Sequence, residues 1–149
     1  MSSSKIEMST KIFINLPVKD LKKSKAFFKR VGFSFHEAFT DENAACMMIS
    51  ENIFTMLLTH TRFKEFTRKQ IPDGSLFSEV INCISAESKE KVNEIVDNAM
   101  AAGGKEFRQS QDYGFIFGRS FNDLDGHTWE VMWMDETLST EGNNNLQPV

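Results

Sequence analysis

The chain is poor in the side chains that most often carry chemistry: three histidines, two cysteines and one tyrosine among 149 residues. So few imidazoles leave little room for a Ser-His-Asp arrangement. There is no Gly-rich phosphate loop, no Cys-x-x-Cys pair and no Gly-x-Ser-x-Gly elbow, so the chemistries those motifs serve have no foothold. No apolar run approaches the roughly 20 residues of a membrane-spanning helix. The opening stretch MSSSKIEMST lacks the apolar core of a secretory signal, and a cytoplasmic location is the expectation. Cys46 and Cys83 each sit in an apolar strand-like run with no Cys or His nearby at ligand spacing, which favours buried free thiols over a disulfide. Positive charge is also scarce: the formal net charge is -4, which argues against a nucleic-acid partner. In the one basic cluster, KDLKKSKAFFKR, Lys19, Lys22, Lys23, Lys25, Lys29 and Arg30 surround Leu21, Phe27, Phe28 and Val31. That is the pattern of an amphipathic helix with a solvated face.

What is present is a soluble composition, 40% hydrophobic and 26% charged, in a length that suits one domain or two closely joined halves. The pattern of elements occurs twice. KIFINLPV (11 to 18) alternates as a strand. Asp20 then caps a helix that Gly32 stops, and strand candidates follow at 33 to 39, 44 to 50 and 53 to 59. The second pass begins with EVINCIS (79 to 85). It continues with a helix carrying Val92, Ile95, Val96 and Ala99 at i, i+3, i+4 and i+7, and with strands at 105 to 111, 115 to 121 and 127 to 134. The predicted fold class is α+β, two βαβββ modules. The expected boundaries are a flexible N-terminus (1–10), a first module (11–60), a linker with a short helix (61–76), a second module (77–135) and a flexible tail (136–149). A sheet covered by a helix on one face leaves the other open, so two such units gain by sharing their uncovered faces.

Two stretches, "INLPVKDLKKSKAFFKRVGFSF" and "DLDGHTWEV", together with the duplicated order, resemble the vicinal oxygen chelate superfamily. That superfamily includes glyoxalase I, bleomycin-resistance proteins, fosfomycin-resistance enzymes and extradiol dioxygenases. The resemblance implies a cleft formed by paired modules and, in metal-using members, two ligands from each module on a divalent ion such as Zn, Ni, Mn or Fe. Those ligands come from the first and last strands of each module. Carried over residue by residue, the first position holds Phe13, seven residues before Asp20. The last strand of the first module presents Met56 where the second presents Glu130. The second module's opening position is Glu79 in one register and Val80 in another. Phe cannot ligate and a thioether suits these ions poorly.

The expectation is therefore a protein without a metal cofactor that binds a small organic molecule in an apolar cleft, as a homodimer. The alternative is a metal-dependent glyoxalase-like lyase, isomerase or dioxygenase using Glu130 and Glu79. Alternation places Phe13, Asn15, Phe54 and Met56 toward the cleft with Glu130 and Met132, while Trp129 and Trp133 face the helices. Arg119 is the candidate partner for Glu130, either as a structural pair or as a pair that reads a polar ligand. Tyr113, in a turn beside Gly114, is a candidate ligand contact at the mouth.

Overall fold

The computed structural model describes residues 9–139 and divides the chain between Ile71 and Pro72 into two compact units. In the first, β1 (Ile12–Val18) leads to α1 (Leu21–Val31), then β2 (Ser34–Phe35), a short 3-10 turn (Glu37–Phe39), β3 (Ala44–Ser50), β4 (Ile53–Thr59) and a one-turn helix, α2 (His60–Phe63). Its sheet runs β1-β4-β3-β2, with β1 parallel to β4 and the other pairs antiparallel.

Local chemistry sets the bounds of α1. Asp20 is extended and its carboxylate accepts the Lys23 N–H at 3.0 Å, while Gly32, at φ 123°, returns its own N–H to the last turn. The helix buries Ser24, Phe27, Phe28 and Val31, and the sheet buries Leu16, Val18, Ala45, Met47, Thr55 and Leu57. Each large apolar side chain so buried stabilises the unit by roughly 1.5–3 kcal/mol. The solvated Lys25 to Glu37 pair, at 3.3 Å, contributes far less. Lys22, Lys23, Lys29 and Arg30 lie exposed, so the basic cluster is indeed the helix's outer face.

The second unit repeats the order: β5 (Ile81–Ser85), α3 (Lys89–Ala101), β6 (Gln111–Asp112), β7 (Ile116–Asn122) and β8 (Thr128–Met134), with sheet order β5-β8-β7-β6 and β5 parallel to β8. Ser88 caps α3 by accepting the Lys91 N–H at 3.0 Å. Val92, Val96 and Ala99 from the helix, and Phe121, Trp129 and Val131 from the sheet, have no exposed surface.

Three expected elements differ. The strand expected over 33 to 39 stops at Phe35. The Thr40 hydroxyl accepts the Cys46 N–H and donates to the His36 carbonyl, and this folds 37 to 39 into the 3-10 turn. The strand expected over 105 to 111 is reduced to an isolated bridge, Lys105 to Asn122, and the two residues of β6. Part of the tail, Glu136–Ser139, forms a short helix, α4, begun by the Asp135 carboxylate accepting the Thr137 N–H. The expectations for 1–8 and 140–149 lie outside the described residues.

The linker's Gly74 passes against the backbone of Asp125 and Gly126, where a Cβ on Gly74 or on Gly126 would collide with the other strand of chain. Gly126 also holds φ 84°, so that turn asks for glycine twice over.

Candidate functional site

In the second unit the turn Asp123 to Gly126 aims β8. The Asp123 carboxylate accepts the N–H groups of Asp125 and His127, both at 3.0 Å, and Trp129 Nε1–H at 3.1 Å. Burial pushes its carboxyl up from the ordinary value, against the pull of His127 and these three donors. With Trp129 fixed on the helix side, strand alternation turns Glu130 to the opposite face of the sheet.

Register supplies the neighbours of Glu130: Ser120 on β7 and Cys83 on β5. Its ion-pair partner is Arg108, 2.9 Å from Nη2 to Oε2, with 35% and 17% of the two side chains exposed. Arg108 comes from the segment between α3 and β6, and the β7 residues on the Glu130 face, Gly118 and Ser120, are small. Cys83 is exposed instead of buried as expected, because β5 is the edge strand of its sheet and pairs with β8 alone among the described residues. Partial burial and the Glu130 charge raise its thiol, with Arg108 pulling the other way. Met132 shares the face, opposite Gly118 and Ser85.

Arg119 belongs to the other face. Its register partner is Val131, and its guanidinium holds Glu106 through two hydrogen bonds of 3.0 and 3.2 Å, with Asn93 and Asp97 on Nη1 at 2.9 Å each. These acceptors, Glu106 foremost, raise it above the usual arginine value. It does not meet Glu130. An open groove of about 740 Å³ lies over this network, but the polar side chains Asn93, Glu106 and Arg119 are already satisfied by one another. Glu106 and Arg108, two residues apart, serve opposite faces of the sheet. A regular strand would put them on the same face, so the segment leaves the ladder. Tyr113 is exposed in the β6 to β7 turn, its N–H bonded to the Ile116 carbonyl.

In the first unit, Phe13 faces Phe54 and Asn15 faces Met56 across the parallel pair β1 and β4. Phe13 stacks on Phe54 at 4.8 Å and 11°, with Lys11 Nζ 5.4 Å from the Phe54 ring centre. Asn15 is exposed and hydrogen-bonds only weakly, to the Phe13 carbonyl at 3.5 Å.

The spacing from the helix cap gives a further candidate for the second module's opening position. Seven residues before the cap Ser88 stands Ile81, as Phe13 stands seven before Asp20. Glu79 and Val80 are exposed and lie ahead of β5, outside the strand. The signal for Ile81 was present in the spacing from a helix cap; no local signal marked Arg108. The carried-over positions hold Phe13 and Met56 in the first unit, and Ile81 and Glu130 in the second, where Glu130 is already engaged by a guanidinium. These residues do not fit a divalent ion. Among the described residues, no group of three or more His, Cys, Asp or Glu side chains gathers as a metal site, and no helix is long and apolar enough to cross a membrane.

Residues 10–50 match the family model of the bleomycin resistance protein-like N-terminal region. No curated protein matches significantly. Among solved structures, a hypothetical protein from S. aureus is 24% identical, with a TM-score of 0.70 over 85% of this chain and 95% of that one. A glyoxalase/bleomycin resistance protein/dioxygenase family enzyme from Burkholderia phytofirmans is 15% identical, with a TM-score of 0.67 over 82% and 96%. The genomically encoded fosfomycin resistance protein from Listeria monocytogenes is 19% identical, with a TM-score of 0.60 over 85% and 94%. The opening stretch thus matches the bleomycin resistance protein-like N-terminal model, and the chain shares the fold of paired βαβββ modules with structures of the glyoxalase/bleomycin resistance protein/dioxygenase family.

Proposed function

We propose that the chain binds a small organic molecule on the apolar open faces of its sheets, and does so without a catalytic metal ion. One observation carries the reading: three of the four positions from which family-type ligands would come hold Phe13, Met56 and Ile81, and the fourth, Glu130, is paired with Arg108 at 2.9 Å. The first unit's positions offer aromatic and thioether surface, the second's an aliphatic side chain beside one neutralised ion pair, and each suits an organic ligand better than an aquated ion.

Two measurements test this on the full chain. Protein purified without chelators is assayed for bound metal, and its thermal stability is followed while Zn, Ni, Mn and Fe are added singly. The expected result is no stoichiometric ion and no saturable shift. A stoichiometric ion that Glu130→Gln removes would overturn the reading. The proposal extends to a cytoplasmic homodimer, the commonest closed assembly; a purely monomeric mass in sedimentation at micromolar concentration removes that part.

A further inference from the structure

The face of the second sheet turned away from α3 carries a buried hydroxyl with no hydrogen-bond partner among the described residues, the Oγ of Ser120, which is 1% exposed. Leaving such a group unsatisfied costs about 1–3 kcal/mol, so a site that keeps one calls for an explanation. The neighbouring hydroxyl on the same face is accounted for: Thr128 Oγ1 donates to Asn122 Oδ1 at 3.0 Å. Ser120 stands directly across from Glu130 in the β7 to β8 register, and Glu130 is tied to Arg108.

The charge on this face decides what could satisfy the group. Along β5, β7 and β8 the residues sharing it are Ile81, Cys83, Ser85, Ile116, Gly118, Ser120, Asn122, Thr128, Glu130, Met132 and Met134, with one charge among them, that of Glu130. Arg108 cancels it. An anion would meet a guanidinium already neutralised and a carboxylate that repels it; a cation would meet the reverse. A guanidinium has five N–H donors and a carboxylate two acceptor oxygens, and a single contact between them leaves both kinds of group available side by side.

We infer that this face recognises an uncharged head group offering a donor beside an acceptor, of the carboxamide class, through Arg108, Glu130 and Ser120. The inference rests on the ligand-binding reading above and specifies its ligand. The head's carbonyl accepts from Arg108 and the Ser120 hydroxyl, its N–H donates to Glu130, and Met132 and Ile116 flank it with apolar surface. Glu130, which in a metal site would hold an ion, becomes here the acceptor of a neutral hydrogen-bonding pair.

The test uses four probes that share one ring: benzamide, benzoate, benzylamine and toluene, titrated into the isotope-labelled full chain and followed by backbone amide resonances. Benzamide is expected to shift Ser120, Glu130 and their strand neighbours saturably and to bind about 10-fold more tightly than the charged probes. Ser120→Ala, which removes a hydroxyl with no partner among the described residues and leaves the ion pair in place, is expected to weaken benzamide about 5-fold and leave toluene unchanged. Arg108→Met is expected to do the same, its fold checked by the dispersion of the spectrum. If toluene or benzoate binds as well as benzamide, or Ser120→Ala leaves benzamide unaffected, the head-group inference falls while ligand binding stands. If no probe shifts any resonance, both fall.

Discussion

Replacing Asp123 by alanine removes the acceptor of three donors in one step, and the structure indicates which of them can recover. The N–H groups of Asp125 and His127 lie in a half-buried turn where water can replace the carboxylate, so each loss is partly offset. Trp129 has no exposed surface, and its Nε1–H, 3.1 Å from Asp123 Oδ2, has no water to turn to. Stranding one buried donor costs about 1–3 kcal/mol, and the two backbone bonds add about 0.5–1.5 kcal/mol each before water is counted. The expected loss is therefore about 3 kcal/mol. Both tryptophans lie on β8, so urea unfolding followed by their fluorescence reports on this unit directly. Asp123→Asn keeps an acceptor and should lose clearly less than the alanine variant. A pH series adds a sign. Burial raises the Asp123 carboxyl, so the folded state holds its proton more firmly than the unfolded chain does. The group's contribution is then fully present below the ordinary carboxylate value and lost as pH rises through the raised one. Wild type should weaken relative to Asp123→Asn as pH climbs from about 4 toward neutrality. A loss under about 1 kcal/mol for the alanine variant, or a pH trend of opposite sign, would refute this account of the turn.

Other substitutions probe separate features. Arg119→Met breaks the guanidinium's bonds to Glu106, Asn93 and Asp97 and should cost about 2–3 kcal/mol in urea unfolding, with Arg119→Lys recovering little because an ammonium lacks the planar fork. Gly126→Ala meets both a positive φ and the Gly74 backbone, and should lower stability by more than about 2 kcal/mol; a neutral result would deny the close approach. Thr55→Val replaces a fully buried hydroxyl that has no hydrogen-bond partner among the described residues, and is expected to leave stability unchanged or raise it by up to about 1 kcal/mol in thermal unfolding. A clear loss there would mean that Thr55 Oγ1 is satisfied.

The readable parts of the fold are those whose causes are local. β3 and β4 occupy 44 to 50 and 53 to 59 as alternation and turn residues predicted, and α1 begins and ends where Asp20 and Gly32 can cap it. β2 and the 105 to 110 segment were misread because distant partners override alternation there. Thr40 reaches Cys46, and Glu106 and Arg108 are drawn to opposite faces by Arg119 and Glu130. The same limit applies to the site. Strand periodicity put Glu130 opposite in sense to Trp129, but which cation would reach it depended on whether an edge segment stays regular. Arg119 lay nearer in sequence, and its place on the strand turned it the other way.

Among the described residues, the first strand of each unit is bonded only to the last, β1 to β4 and β5 to β8. A nascent chain leaving the ribosome therefore exposes Ile81 to Ser85 with no ladder to join until Thr128 to Met134 has been made. The second unit cannot zip up progressively; its closure is deferred to the end of its own translation, and a message truncated in the DLDG turn would yield a polypeptide with that entire opening strand unmated. The first unit reaches its matching strand by Thr59 and can finish while the rest is still being synthesised.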